Sequence, residues 1–252
     1  MSRPVVVVCG LGLVGGSLAR DLTRAGYRVI GVDRPAVRRQ ARAARAIAEG
    51  TSRLERAVEH ARLVVLAAPP KANLRALRSL ARLPPPRPVV TDVTSVKGPA
   101  CREAARLGLG EFVGGHPMAG SSGAGFGASR LGLFRARPWA LVSDAAEPRA
   151  VCAALNLVRA VGGCPVLLSA DQHDRAVAFF GHLPQLVAWA LLQAAEADPV
   201  ASRYARLAGP GFQDMTRLAA SPRGLWREIL TANRRDVARA LQAFRRALGR
   251  RP

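Results

Sequence analysis

A histidine stands among glycines and a proline in Gly114-Gly115-His116-Pro117-Met118-Ala119-Gly120. Imidazole can take or give a proton near neutral pH. Glycines let a backbone come close to a ligand, and Pro117 fixes the direction in which the chain leaves. The stretch reads as a loop presenting His116 as a general base, although a solvated loop histidine fits the same residues. A second chemical pattern, Gly10-Leu11-Gly12-Leu13-Val14-Gly15, lies near the start. In this GxGxxG spacing the first glycine makes a tight turn and the second admits a pyrophosphate. The third lets a helix pack closely on a strand.

The elements around these residues place them. Pro4 to Cys9 is a β-branched run, read as a buried parallel strand. A helix follows from Leu13 to about Ala25, ended by Gly26, with its free N–H groups turned to phosphate. A second strand, Arg28 to Val32, runs into Asp33, where such folds put the acid that binds the ribose 2′-hydroxyl. Asp33 favours NAD by repelling a 2′-phosphate, while Arg34, Arg38 and Arg39 make the opposing case for NADP. Helices are expected through Ala48 and around Ser52 to His60. The strand Arg62 to Ala68 stops at Pro69-Pro70, which puts Ala68 and Pro69 at the edge where a dinucleotide would rest. After a helix over Ala72 to Leu83, the strand Pro88 to Asp92 exits through Thr94, Ser95 and Lys97, again at a ligand-facing edge. Ser95 could instead cap the next helix, Pro99 to Leu107. A short strand, Glu111 to Val113, leads into the His116 loop, which continues to Gly127. Strands Trp139 to Val142 and Pro165 to Leu168 flank a helix over Pro148 to Val161.

This alternation predicts a doubly wound α/β domain over residues 1–169. Residues 170–252 carry no convincing strand. Val177, Phe180, Pro184, Val187 and Leu191 fall near helical spacing, and Val237, Leu241, Phe244 and Leu248 make a stripe on the last helix. This all-helical part is too small to bury its apolar surface alone, so two chains could share it.

The 252 residues carry 38 Lys+Arg against 17 Asp+Glu, a formal charge of +21, with Lys71 and Lys97 the two lysines. The arginines are scattered, and two tyrosines and seven phenylalanines give few stacking platforms. A solvated surface that attracts small anions is therefore favoured over nucleic-acid binding. An apolar share of 49% excludes disorder. No run of eighteen uninterrupted apolar residues and no leader pattern is present, so no membrane span is expected. Cys9, Cys101, Cys152 and Cys164 lack metal-ligand spacing and read as thiols of a reducing cytoplasm, with no metal site.

Several motifs occur in order: the glycine loop Gly10 to Ser17, Asp92 to Gly98, Gly114 to Gly120, Leu133-Phe134 with Arg137-Pro138-Trp139, His182-Leu183-Pro184, and Gly211-Phe212-Gln213-Asp214-Met215-Thr216-Arg217-Leu218-Ala219. Together they closely resemble the prephenate/arogenate dehydrogenases of tyrosine biosynthesis. The resemblance implies an N-terminal nucleotide-binding domain and a C-terminal helical domain that forms a homodimer. It implies oxidation of prephenate or arogenate with NAD or NADP and release of carbon dioxide. On that resemblance His116 accepts a hydrogen bond from the ring 4-hydroxyl, Ser95 supports that hydroxyl, and Arg217 binds a substrate carboxylate. Ser121, Ser122, His182 and Gln185 then lie near the substrate, and Thr94 joins Gly10 to Gly15, Asp33, Arg34, Ala68 and Pro69 around the cofactor. The chain departs from the family pattern where many members have an acid at the position of Ser122. It also reads Gly181-His182-Leu183-Pro184-Gln185 where many read Ser-His-Leu-Pro-His, and no added mutase or regulatory domain is expected.

Within this resemblance an arogenate (cyclohexadienyl) dehydrogenase is the alternative to a prephenate enzyme. Outside it stand a 3-hydroxyacid dehydrogenase using Lys97 or another lysine as acid/base, and a non-catalytic NAD-binding or nucleic-acid-binding protein.

Overall fold

The computed structural model describes residues 3–120 and 123–250, so Ser121 and Ser122 lie outside the described residues. The chain divides into two units, Met1–His173 and Asp174–Pro252.

Unit 1 is built on one eight-stranded sheet. Its strands are β1 (Val5–Cys9), β2 (Arg28–Val32), β3 (Glu49–Thr51), β4 (Leu63–Leu66), β5 (Val89–Asp92), β6 (Phe112–Pro117), β7 (Pro138–Val142) and β8 (Cys164–Leu168). Their spatial order is β3-β2-β1-β4-β5-β6-β7-β8. Every neighbouring pair is parallel except β6 with β7. The helices are α1 (Leu13–Arg24), α2 (Pro35–Ala43), α3 (Leu54–Ala57), α4 (Pro70–Ala81), α5 (Gly98–Arg106) and α6 (Pro148–Ala160).

Successive strand residues point to opposite faces, and β1 shows it. Val6 and Val8 pack with Leu18, Leu22 and Leu157 from α1 and α6, while Val7 packs with Leu77, Leu80 and Ala104 from α4 and α5. Both faces are covered, which is why the central strands are continuous apolar runs. Chain order reverses between β1 and β4, so the crevice at the carboxyl ends of those strands is the switch point of the sheet.

Three expectations need correction. The helix predicted through Ala48 stops at Ala43. Arg45 takes a left-handed φ of 53°, Ala46 and Ile47 turn into the core, and the chain runs on as the edge strand β3. The helix predicted around Ser52 to His60 is the single turn α3. The His116 segment is strand, not loop, as far as Pro117. Gly114, Gly115, His116 and Pro117 pair with Val142, Leu141, Ala140 and Trp139 of β7. The glycine and proline signals are overridden because β7 supplies a backbone ladder from across the sheet.

The division between units falls inside α7 (Ala170–Val177). A π-helical turn (Ala178–His182) joins it to α8 (Leu183–Ala197), followed by α9 (Pro199–Arg203), α10 (Pro210–Thr216), α11 (Arg223–Ala232) and α12 (Arg234–Gly249). Unit 2 has no strand among the described residues. Its core is small: Ala178, Val237 and Ala240, with Leu183, Leu186 and Leu230 packed against them. Of the apolar stripe on α12, Leu248 is 68% exposed, and Phe180 on the π turn is 86% exposed. The helical run Ala170–Ala197 reaches a mean hydropathy of 1.3 over an 18-residue window and is 28% buried there. By length and composition alone it is long enough to cross a bilayer, a property missed by counting uninterrupted apolar residues.

Candidate active site

The glycine loop has the shape its spacing requires. Gly10 adopts φ +95°, which side chains rarely take. A Cβ on Gly15 would lie 1.9 Å from the Gly10 carbonyl oxygen, so α1 packs against the turn only without one. A Cβ on Gly12 would meet nothing within 4 Å. The space over Gly12 fronts the first turn of α1, which no side chain caps. Its N–H groups remain for an anion, and the arrangement fits a pyrophosphate.

Asp33 is fixed at the end of β2. Its Oδ2 accepts the Leu11 N–H at 2.7 Å and its Oδ1 accepts the Arg34 N–H at 2.6 Å. The carboxylate is thus locked beside the glycine loop with further lone pairs on each oxygen, as a ribose diol would need. The Arg34 side chain is 86% exposed, with Nε 3.9 Å from Asp33 Oδ1. Burial, and secondarily the Asp33 charge, push the Cys9 thiol up to about 11, so it stays protonated at neutral pH. Ala68 donates its N–H to Asn73 Oδ1 at 3.1 Å, and Asn73 Nδ2 donates to the Leu66 carbonyl at 3.0 Å. Buried Asn73 therefore shapes the turn after β4, with Pro69 exposed beside it. It was not foreseen, because both of its partners are backbone.

Lys97 organises the exits of β5 and β6. It is fully buried, and its Nζ donates to Asp92 Oδ1 (2.5 Å) and Oδ2 (2.6 Å), the Gly115 carbonyl (2.5 Å) and Thr94 Oγ1 (3.1 Å). Gly115 returns its N–H to Asp92 Oδ1 at 2.8 Å. The Thr94 hydroxyl also bonds Asp92 Oδ2. Thr94, expected at the cofactor, thus spends its hydroxyl within this network. Gly115 has no room for a side chain, since a Cβ would sit 2.3 Å from the Asp92 carbonyl oxygen. Ser95 is half-buried on the same loop, and Lys97 rather than Ser95 stands in the N-cap position of α5. Buried and paired in this way, Lys97 is a poor candidate for the acid/base of a 3-hydroxyacid dehydrogenase.

His116 is half-buried at the end of β6. Its Nδ1 lies 2.9 Å from Nε2 of His173 on α7, with the rings edge-on at 65° and centroids 5.1 Å apart. His173 is 1% exposed. Nothing local signals this pairing across 57 residues of sequence. Phe134 and Trp139 pack against each other in the core at a centroid distance of 5.0 Å, so these motif residues help build the fold.

In unit 2, Arg217 opens a 3-10 turn (Arg217–Ala220) directly after α10. Its side chain is exposed and makes no ion pair among the described residues. α8 holds the turn by two bonds to backbone: Gln185 Nε2 donates to the Leu218 carbonyl at 2.7 Å and Trp189 Nε1 to the Ala219 carbonyl at 3.1 Å. Gln185 is fully buried, and its Oε1 has no hydrogen-bond partner among the described residues. Asn233 Nδ2 donates to the Asp174 carbonyl at 2.7 Å and lies 3.2 Å from His182 Nδ1. That nitrogen is therefore an acceptor, and the His182 proton belongs on Nε2. His182 is 2% exposed, with its ring edge-on to Trp226 at 6.0 Å.

Comparison with known proteins bears directly on this arrangement. Residues 18–167 match the family profile of the prephenate dehydrogenase nucleotide-binding domain, and residues 169–250 match that of the prephenate dehydrogenase dimerization domain. The chain belongs to the prephenate dehydrogenase family. The family's members are NAD-dependent oxidoreductases. A Bacillus subtilis prephenate dehydrogenase is 31% identical over 93% of this chain and 66% of its own length. The chain spans about two thirds of the length of the curated relatives it matches first. Aquifex aeolicus prephenate dehydrogenase, solved with hydroxyphenyl propionate and NAD+, superposes with a TM-score of 0.90 at 28% identity, covering 99% of this chain and 89% of that one. Synechocystis arogenate dehydrogenase gives 0.85 at 31% identity, covering 97% and 89%. The relatives thus include both prephenate and arogenate dehydrogenases.

Proposed function

We propose that the protein oxidises prephenate to 4-hydroxyphenylpyruvate with NAD, in the cytoplasm, as a homodimer built through unit 2. The observation that carries the reading is the position of His116 at the carboxyl edge of the sheet whose β1 leads into the glycine loop. On this reading Gly10 to Gly15 cradle the pyrophosphate, Asp33 takes the ribose diol, and the nicotinamide supplies a hydride acceptor. His116 accepts the proton of the substrate's ring hydroxyl through Nε2 as hydride leaves the carbon that bears that hydroxyl. Loss of the ring carboxylate as carbon dioxide then makes the ring aromatic. The protein's task is to hold a base, a clamp and an oriented substrate. Arg217 serves as the clamp, because a planar guanidinium grips carboxylate by two parallel bonds. Ser95 supports the hydroxyl, and Ser121, Ser122, His182 and Gln185 are assigned to the substrate's surroundings.

Prephenate is favoured over arogenate on charge. Arogenate carries an added ammonium, and this chain has Ser122 in place of a common acid within a +21 protein. The dimer is supported by the match to a dimerization domain and by exposed apolar residues such as Phe180, Leu207 and Leu248. The same burial gives the apolar run Ala170–Ala197 a destination other than lipid.

The test is kcat/KM for prephenate and arogenate, each with NAD and NADP. A tenfold advantage for arogenate would defeat the charge argument. His116→Asn is expected to lower kcat by roughly a hundredfold or more with NAD binding intact, the scale of a lost general base. Near-normal turnover would remove His116 from the chemistry.

A further inference from the structure

His173 is a buried imidazole for which the reading above has no use. It lies on α7, 1% exposed, with Nε2 at hydrogen-bond distance from His116 Nδ1. Their separation of 2.9 Å is that of a hydrogen bond. Two nitrogen ligands of a tetrahedral zinc, each about 2.0–2.1 Å from the metal, would stand roughly 3.3 Å apart. Between two neutral imidazoles such a bond needs one N–H and one lone pair. Only two proton arrangements satisfy it. In one, His116 donates from Nδ1 and keeps a lone pair on Nε2. In the other, His173 donates from Nε2, which pushes the His116 proton onto its own Nε2 and leaves no lone pair there for a substrate.

We propose that His173 is the positioning residue of His116. It accepts the Nδ1–H bond, holds the ring in the orientation seen here, and so keeps the lone pair on Nε2. This rests on the reading of His116 as the base. When a proton passes from the ring hydroxyl to His116 Nε2, the pair gains one positive charge, and the Nδ1–H···Nε2 bond lets His173 share it. The partner in this bond is an imidazole, not a carboxylate. It therefore selects the tautomer without placing a fixed negative charge beside an anionic substrate.

The test is ring 15N–1H NMR of the full-length protein, wild type and two variants, together with steady-state kinetics. Gln places its amide oxygen where the His173 Nε2 lone pair stands, and Leu fills the space without an acceptor. The wild type is expected to show His116 protonated at Nδ1. His173→Gln is expected to keep that tautomer and hold kcat within a few-fold. His173→Leu is expected to shift His116 towards Nε2–H and lower kcat by roughly tenfold to a hundredfold, the scale on which partners that orient active-site groups act. Its KM and its affinity for NAD should stay within a few-fold, a split that a general loss of structure would not produce. A wild-type His116 protonated at Nε2, or a Leu variant with unchanged tautomer and kcat, overturns the proposal. If the Leu variant does not fold, the wild-type spectrum and the Gln variant decide. Should His116→Asn retain turnover while the spectrum shows Nδ1–H, the base reading fails and the hydrogen-bond assignment stands.

Discussion

Replacing Lys97 by Met removes the ammonium from a carboxylate that has no route to solvent. Asp92 would keep the N–H bonds from Gly115 (2.8 Å) and Thr94 (3.2 Å) and the Thr94 hydroxyl, but no counter-charge. Breaking a buried pair from one side costs about 3–5 kcal/mol, because an uncompensated charge is left behind. For a chain of this size each kcal/mol lowers the melting temperature by about 2–4 °C. The expected fall is therefore roughly 6–20 °C. Asp92→Asn added to Lys97→Met removes the stranded charge while leaving a side-chain oxygen for the Gly115 N–H, so most of the loss should return. The assay is urea unfolding of the wild type, both single variants and the double variant, with thermal melts as a check. A Lys97→Met variant within about 1 kcal/mol of wild type would refute the reasoning, as would a double variant no better than the single. Turnover should fall in Lys97→Met, since the same ammonium holds the Gly115 carbonyl one residue before His116.

Gly115→Ala is expected to destabilise unit 1 by about 1–3 kcal/mol or more, because its methyl would meet backbone, and the loss is readable as a lower melting temperature. Asp33→Ser should weaken NAD and improve NADP, measured as the ratio of the two kcat/KM values; a wild type that already prefers NADP would show that Arg34 outweighs the carboxylate. Asp21 gives a pH signature. Burial raises its pKa, against the Gly132 N–H and nearby arginines, and its Oδ2 has no hydrogen-bond partner among the described residues. The folded chain therefore holds that proton to higher pH than the unfolded chain, and stability falls as pH rises from the ordinary carboxylate range through the raised value. Asp21→Asn should be more stable than wild type at pH 7 to 8, with the gap closing as pH drops below that window, followed by thermal melts across pH.

What could be read from the sequence was whatever depends on near neighbours. The runs Val5–Cys9 and Leu63–Leu66 are strands because β-branched and apolar side chains fill a sheet buried on both faces. The glycine loop announces itself by spacing. What escaped depends on distant partners. β3 is three residues at a sheet edge with no apolar alternation. The end of β6 looks like a loop until β7, more than twenty residues on, supplies its ladder. Arg45 ends a helix in a left-handed conformation without the glycine that usually marks one. His116 stands out in the sequence by its glycine and proline setting alone. His173, Asn73 and the burial of Lys97 do not, because each is defined by a group brought near only by folding.

The grip of α8 on the turn that carries Arg217 has a consequence for how this protein can change. Gln185 and Trp189 both bind main-chain carbonyls, those of Leu218 and Ala219. A carbonyl persists whatever side chain its residue bears. Side-chain changes at positions 218 and 219 therefore leave both bonds to the backbone of the turn in place. A lineage, or a library, can change those two side chains by single steps without first losing the backbone anchor.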